Sequence, residues 1–261
     1  MNLGAYKMFS MEDRVIIITG GAGFLGMQFA KALADAGAKV VLWDKPGAFF
    51  GYHFYHVADI TDENAVKKAA QCVIDVFGKI DVLINNAAMN PAVGSDESKN
   101  LFVPIEDYSI DSFRRGVDIN LVAPFICIKA VVPIMKKQGK GVIINVASEV
   151  SIVAHDHRVY NQPGKYKSPE YVASKTGLVG LTRACAAQLG EFGIRVNALS
   201  PGGTRTDKMP QDFIERFGKS NMLGRMAEAD DCCATIIYLC SDASSFVTGA
   251  NFPVDGGKSA W

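Results

Sequence analysis

Short apolar runs alternate with longer segments of helical spacing along most of the chain. The runs are continuously apolar, which is typical of strands buried on both faces of a sheet. Seven runs are predicted as strands: Arg14–Thr19, Lys39–Trp43, His53–Val57, Asp81–Ile84, Gly141–Val146, Ile194–Leu199 and Asn251–Val254. The predicted helices between them are Phe24–Ala36, Asp62–Phe77, Ile110–Lys137, Ser168–Glu191 and Ala227–Ser241. We therefore expect an α/β fold, a doubly wound parallel sheet with helices on both faces.

The chain shows no change in composition that would mark a linker. We expect a flexible leader at residues 1–10 and a single domain over residues 11–261. Three stretches, residues 89–109, 149–167 and 203–226, are predicted as substrate loops. They follow predicted strands and are longer than most connections in compact α/β domains, and open α/β sheets bind ligands at the carboxyl ends of their strands.

The charges of the chain balance, with 27 basic and 27 acidic residues, so nothing indicates binding to nucleic acid or to an anionic membrane. No segment approaches the roughly 20 uninterrupted apolar residues of a membrane-spanning helix. The six cysteines form no CxxC pair and lie mostly in apolar stretches, which is typical of reduced thiols. We expect a soluble, cytoplasmic protein that acts on a small molecule.

A glycine cluster, Thr19–Gly26, follows the first predicted strand and opens a helix. Glycines allow a tight turn and let a pyrophosphate approach the backbone N–H groups at the helix start. Asp44 lies 18 residues beyond Gly26, after the second strand. Its carboxylate can accept hydrogen bonds from an adenosine ribose and would repel a 2′-phosphate, which favours NAD over NADP. Asp59, after the third strand, is predicted to hold the adenine ring, and capping of the next helix is its alternative role.

Tyr171 and Lys175 are four residues apart in a predicted helix that Ser168 can cap and that has Pro169 in its first turn. This spacing puts both side chains on one helix face. A nearby ammonium lowers the pKa of a phenol, and a tyrosine so tuned can exchange a proton with an alcohol or a ketone. The spacing alone is weak evidence, because it also occurs by chance.

Further motifs accompany this pair in a fixed order along the chain: Thr19–Gly26, Asn85-Asn86-Ala87-Ala88, Asn120, Ser148 and Pro201-Gly202. Together they resemble the single-domain branch of the short-chain dehydrogenase/reductase family, from about Arg14 to Gly257. The resemblance implies a Rossmann-like fold and a catalytic tetrad of Asn120, Ser148, Tyr171 and Lys175.

The resemblance also implies a role for each residue of the tetrad. Ser148 would hydrogen-bond the substrate oxygen, and Tyr171 would be the general acid and base. Lys175 would bind the nicotinamide ribose and lower the pKa of the tyrosine, and Asn120 would hold a water in a proton relay. The implied cofactor-binding residues are Gly20, Gly23, Phe24, Leu25, Asp44, Asp59, Ile60, Asn86, Ala87, Tyr171, Lys175, Pro201, Gly202, Thr204 and Thr206.

Family habit implies a homotetramer or homodimer that pairs the helices carrying Asn120 and Tyr171. The apolar segment Phe246–Trp261 would form a second contact. Phe24 stands where this branch usually has its middle glycine, and the resulting spacing resembles that of nucleotide-sugar epimerases and dehydratases. An enzyme of that kind with tightly held NAD is one alternative, and a catalytically silent binding protein of the same fold is another.

The separation between Ser148 and Tyr171 is 23 residues, which is long for this branch. The inserted segment, residues 155–167, is mildly basic and rich in hydrogen-bonding side chains, which suits a hydroxylated or anionic substrate. It resembles a subgroup labelled gluconate 5-dehydrogenase-like or placed in surface-sugar biosynthesis. We therefore expect a sugar, a sugar acid or a polyol as substrate, contacted by Glu149, His157 and Arg158. His155 and His157 could face one ion, but no third ligand is evident, so we expect no metal.

Overall fold

A computed structural model of the chain describes residues 7–45, 54–90, 102–161 and 166–261. Parts of the predicted leader, of the loops 89–109 and 149–167, and of the third strand lie outside these ranges, at residues 1–6, 91–101, 162–165 and His53.

The described residues contain all seven predicted strands in one parallel sheet. The strands are β1 (Val15–Thr19), β2 (Lys39–Asp44), β3 (Tyr55–Val57), β4 (Val82–Asn85), β5 (Gly141–Val146), β6 (Ile194–Pro201) and β7 (Asn251–Val254), and their order is β3-β2-β1-β4-β5-β6-β7. β1 pairs with β2 on one side and with β4 on the other, so the strand order reverses beside β1. Such a reversal opens a crevice at the carboxyl ends of the strands.

Helices cover both faces of this sheet, as expected. They are α1 (Phe24–Asp35), α2 (Glu63–Phe77), α3 (Ile110–Val117), α4 (Ala123–Gln138), α5 (Pro169–Leu189), α6 (Gln211–Gly218) and α7 (Cys233–Cys240). Successive strand residues point to opposite faces, so Ile17 packs in the core under α2, α4 and α5, whereas Ile16 and Ile18 pack under α1 and α7. The predicted Rossmann-like doubly wound fold is confirmed.

Three predicted segments differ from the structure. The predicted helix Ala227–Ser241 begins only at Cys233, because Ala227 forms a β-bridge with Thr204 and residues 229–232 form a turn. The predicted helix Ile110–Lys137 contains a π-helical segment, Asp118–Val122, between α3 and α4. The predicted substrate loop 203–226 contains a helix, α6. Its Phe213 packs against Tyr160 of the insert, and its Phe217 packs against Phe213.

The continuous helix Ile110–Gln138 is long and apolar enough, by length and composition, to cross a membrane. Lys129 interrupts its apolar sequence and forms an ion pair with Glu63 of α2. One face packs on the sheet through Cys127, Val131 and Met135, which are fully buried. Burial against the sheet accounts for the apolar residues of this face, while 33% of the most apolar window of the helix is buried.

Candidate active site

A cleft of about 1190 Å³ lies at the carboxyl edge of the sheet. Its walls come from the turns after β1, β2, β4, β5 and β6 and from the first turns of α5. Ser148, Glu149, Tyr171 and Lys175 line it. Every predicted cofactor-binding residue lines it as well, from Gly20 in the first turn to Thr206 after β6.

The glycine turn between β1 and α1 has no space for a side chain at Gly20 or Gly26. Gly20 has a φ of +59°, and a Cβ placed on it would lie 2.7 Å from the Cα of Ala87. A Cβ on Gly26 would lie 2.4 Å from the carbonyl oxygen of Gly20, so the turn packs directly on α1. No side chain caps α1, which leaves N–H groups at its start open to an anion. These features fit the pyrophosphate of a dinucleotide.

Asp44 lies at the end of β2, directly beside the glycine turn. Its Oδ2 accepts a hydrogen bond from the backbone N–H of Ala22 at 2.9 Å, and its Oδ1 accepts one from Lys45 at 2.8 Å. The carboxylate therefore sits where an adenosine ribose would follow the pyrophosphate, and its charge opposes a 2′-phosphate.

Asp59 is not the cap of α2. Its Oδ1 accepts hydrogen bonds from the backbone N–H and the hydroxyl of Thr61, at 3.0 and 2.7 Å, and these bonds lower the pKa of its carboxyl. Asp62 caps α2 instead, since its Oδ1 accepts from the N–H groups of Asn64 and Ala65. Asp59 thus remains on the cleft wall.

The loop after β4 is fastened to the glycine turn. The Thr19 hydroxyl oxygen accepts hydrogen bonds from the N–H groups of Asn86 and Ala87, at 3.1 and 3.2 Å. The Asn86 amide donates to the carbonyl oxygens of Thr19 and Gly20, at 3.1 and 3.0 Å. These four bonds hold together the two turns that flank the crevice.

Tyr171 is buried at the start of α5, and its side chain lines the cleft together with that of Ser148. Burial raises the pKa of Tyr171 to about 12; the nearby Ser148 side chain opposes this shift and the charge of Glu149 adds to it. Burial therefore keeps the pKa of Tyr171 above its ordinary value in this structure, and the lowering of that pKa by Lys175 stays a prediction.

Lys175 is also buried, and its Nζ donates a hydrogen bond to the carbonyl oxygen of Val146 at 2.6 Å. Nζ lies 5.8 Å from the centre of the Tyr171 ring. Burial lowers the pKa of Lys175 to about 8. Ser168 occupies the position before α5 but makes no capping bond through its side chain, and Pro169 begins the helix as expected.

Asn120 lies in the π-helical segment and is fully buried. Its Oδ1 accepts a hydrogen bond from the N–H of Met89 at 2.7 Å, and its Nδ2 donates to the carbonyl oxygen of Met89 at 3.2 Å. The side chain thus fixes the loop after β4 from behind the cleft, and its neighbour Ile119 lines the cleft. The water-relay role of Asn120 stays a prediction.

Some side chains of the insert, residues 155–167, line the cleft, and others lie on the outer surface. The Arg158 side chain is 92% exposed, forms an ion pair with Asp156 at 2.8 Å and faces a second depression outside the cleft. His157 does not line the cleft; its Nδ1 accepts a hydrogen bond from the N–H of Lys167 at 3.3 Å. The structure therefore does not bring these two predicted substrate contacts to the cleft.

Two other residues of the insert do line the cleft. The ring of His155 stacks on that of Tyr171, with centroids 6.1 Å apart, and the side chain of Lys167 reaches the same wall. Burial, together with the charges of Lys167, His157 and Lys258, lowers the pKa of His155 to about 3, so the imidazole is neutral. Sequence reasoning did not single these residues out as substrate contacts because an irregular segment has no periodicity that shows which side chains face inward.

Glu149 places a buried carboxylate beside Ser148. Its Oε1 lies 3.5 Å from Nζ of Lys258, and its Oε2 has no hydrogen-bond partner. Burial raises the pKa of Glu149, and Lys258 opposes the shift. The free oxygen can accept a hydrogen bond from a ligand. Among the described residues, no group of three or more His, Cys, Asp or Glu side chains could hold a metal ion.

The chain resembles known proteins over nearly its whole length. Residues 21–259 match a family model described as enoyl-(acyl carrier protein) reductase. A trans-4-hydroxycyclohexanecarboxylate dehydrogenase of Sinomonas cyclohexanicum is 35% identical, over 96% of this chain and 94% of its own. A 2-dehydro-3-deoxy-L-rhamnonate dehydrogenase (NAD(+)) of a Sphingomonas species is 31% identical, over 95% of this chain and 96% of its own.

A similar solved structure is that of a gluconate 5-dehydrogenase from Burkholderia cenocepacia in complex with NADP and tartrate. It has a TM-score of 0.85 and 27% identity, covering 98% of this chain and 99% of its own. Other relatives are named for different substrates, among them levodione, a dichlorocyclohexadiene diol and hydroxysteroids.

These relatives are named as dehydrogenases or reductases, and this chain places Ser148, Tyr171 and the glycine turn in one cleft. The resemblance predicted from the motifs is thus confirmed. The chain belongs to the short-chain dehydrogenase/reductase family and is an oxidoreductase that interconverts alcohols and ketones.

Proposed function

We propose that this chain uses NAD to interconvert a secondary alcohol and a ketone on a polar substrate, which is a sugar, a sugar acid or a polyol. The observation that carries the proposal is the continuity of one cleft. It joins Ser148 and Tyr171 to a glycine turn that has an aspartate, Asp44, beside it.

The proposed mechanism uses the hydroxyl groups of Ser148 and Tyr171, which line the same cleft. In the oxidation direction, Ser148 and Tyr171 hydrogen-bond the substrate hydroxyl, and the Tyr171 phenolate accepts its proton. A bound nicotinamide would accept the hydride and, in its oxidised form, add positive charge near the phenol. Lys175 would release the Val146 carbonyl and hold the nicotinamide ribose, so that its charge also favours the phenolate.

Asp44 supports the choice of NAD. Its carboxylate already accepts two backbone hydrogen bonds beside the turn that would hold the pyrophosphate. The relatives do not distinguish the two cofactors, because one is named for NAD and one similar structure contains NADP. The proposal of NAD therefore rests on the acidic side chain of Asp44.

Polar and charged groups on the substrate wall support the substrate class. Glu149, His155 and Lys167 line the cleft beside the catalytic pair, and buried polar groups without partners disfavour an apolar substrate. Two of the relatives are named for substrates that carry a carboxylate as well as a hydroxyl or keto group. An epimerase or dehydratase has no such support, since the chain spans most of the length of the dehydrogenases that it matches.

We further propose a cytoplasmic homotetramer or homodimer. On the helix that carries Asn120, Val122 is 41% exposed and Phe125 is 49% exposed. Near the C-terminus, Phe246 is fully exposed and Trp261 is 79% exposed. Apolar side chains exposed in this number are typical of surfaces that pair with another subunit.

The test is a turnover screen that follows NADH or NADPH absorbance. The panel pairs acids with neutral compounds of similar shape: D-gluconate with D-glucitol, and trans-4-hydroxycyclohexanecarboxylate with trans-4-methylcyclohexanol. We expect turnover of at least one polar member, with NAD preferred over NADP. Absence of turnover on the whole panel, extended to further sugars and polyols, would sink the proposed substrate class, and a preference for NADP would refute the role of Asp44.

A further inference from the structure

We propose that Lys167 selects the substrate by binding a carboxylate group on it, so that the preferred substrate is a hydroxy acid or keto acid and not a neutral polyol. The inference rests on the proposed function and assigns Lys167 a specificity role in the same cleft. Three features of this side chain support the inference. They are the position of its ammonium group, the neutral groups that contact it, and the absence of an ion pair with any described carboxylate.

The ammonium group lies within one small substrate's length of the catalytic phenol. Nζ of Lys167 is 5.7 Å from the centre of the Tyr171 ring and 5.1 Å from the centre of the Phe102 ring. The backbone N–H of Lys167 donates to Nδ1 of His157 at 3.3 Å, which ties the base of this side chain to the insert. A group bound at Nζ can therefore belong to the same molecule as the oxygen that Tyr171 protonates.

The contacts of this ammonium group are neutral. Nζ donates one hydrogen bond, to Oδ1 of Asn90 at 2.5 Å, and its other neighbours are aromatic faces. Within the described parts of the chain, no carboxylate lies within salt-bridge distance of it. An ammonium group has three N–H donors, so two remain to be satisfied.

Lys167 is partly buried, and an anion on a ligand would stabilise a partly buried cation that forms no ion pair. Burial lowers the pKa of Lys167 to about 8, although the charge of Glu170 opposes the shift. The other ionisable groups that face it are Tyr171 from α5 and His155 and His157 from the insert. The pKa of Tyr171 is raised to about 12 and that of His155 is lowered to about 3, so neither side chain is charged near neutral pH. Glu170 acts on Lys167 through its charge but forms no ion pair with it.

Two described basic residues near the insert form ion pairs. Lys258 pairs with Glu149 and lies 3.8 Å from the centre of the Phe217 ring, and Arg158 pairs with Asp156 outside the cleft. The position of Glu149 favours one orientation of an acidic substrate. A substrate carboxylate placed beside Glu149 would be repelled by its carboxylate, whereas one placed beside Lys167 would be attracted by its ammonium group. The substrate acid is thus oriented with its charged end toward Lys167.

The experiment measures binding without turnover. Calorimetric titration of the protein, saturated with NADH, uses the two acids and the two neutral compounds of the panel, because an alcohol forms only a dead-end complex with the reduced cofactor. Wild type should bind at least one acid about tenfold or more tightly than its neutral partner, as expected for a charge-assisted hydrogen bond. Lys167→Met should abolish that ratio, and Lys167→Arg should restore part of it.

Lys137→Met is the matched control, since Lys137 lies exposed at the end of α4 and away from the cleft. It should keep the wild-type ratio of affinities. Equal affinity of wild type for acids and neutral compounds, no binding of either acid, or a ratio that survives in Lys167→Met would overturn the inference. A lost ratio combined with no turnover by wild type on NAD would leave Lys167 as an anion site and refute only the proposed function.

Discussion

At the scale of single residues, burial decides the ionisation of the groups around Tyr171. His155 stacks on this phenol, and its Nε2 has no partner. The pKa of His155 is lowered to about 3 from an ordinary value of 6.5. Between these two values the unfolded chain binds a proton that the folded chain does not, so the free energy of unfolding falls as the pH drops from 6.5 toward 3.

We expect His155→Gln to flatten this dependence. The wild type should lose up to about 1.4 kcal/mol more stability than the variant for each pH unit below 6.5. Urea unfolding of both proteins from pH 4.5 to 7.5 measures the difference, and His56→Gln, at the sheet edge in β3, is the control. Parallel pH curves for wild type and His155→Gln would show that the imidazole is not buried as a neutral group. The groups that face His155 are present in both proteins, so they cancel in the comparison: Lys167, His157, Lys258 and Tyr171.

At the scale of elements, the glycine turn between β1 and α1 is held by two independent constraints. Gly20 has a positive φ, and a Cβ placed on it would also meet the backbone of Ala87. Gly78, after α2, has a φ of +71°, and a Cβ placed there would have nothing within 4 Å. Substitutions at these two glycines therefore distinguish the cost of a left-handed backbone, present at both, from the cost of a close contact, present only at Gly20.

We expect Gly78→Ala to cost about 1 kcal/mol of stability, from the left-handed backbone alone, and to leave NAD affinity unchanged. Gly20→Ala should cost more and should weaken NAD binding, because the added Cβ pushes apart the turns that flank the crevice. Thermal unfolding and NAD titration of both variants measure this. Equal stability losses with intact NAD binding in both would contradict the proposed cofactor site.

The regular elements could be predicted from the sequence because their patterns are strong. The apolar runs of β1 and β5 are buried along their whole length, and the observed bounds of these two strands lie within one residue of the predicted ones. The π-helical segment at Asn120 was not predictable, since its residues keep helical apolar spacing. Helix α6 was missed because it is short and most of its residues are polar, with Phe213 and Phe217 as its main apolar anchors.

At the scale of the whole molecule, the fold brings together motifs that lie far apart in the chain. Thr19, Asn86, Ser148 and Tyr171 follow or face the ends of neighbouring strands, and their meeting in one cleft follows from the parallel order of the sheet. The substrate wall does not follow from that order. The sequence indicated the insert as its source, but the packing of the insert against α6 determines that Lys167 faces inward and Arg158 outward.

The central claim is that Tyr171 exchanges the proton with the substrate, and Tyr171→Phe tests it most directly. On a substrate found in the screen, turnover should fall by at least about 100-fold, the usual contribution of a general acid or base. NAD affinity, measured by titration of the same samples, should stay within a few-fold of wild type, because the phenyl ring preserves the packing. Full turnover by Tyr171→Phe, with NAD still bound, would contradict the account.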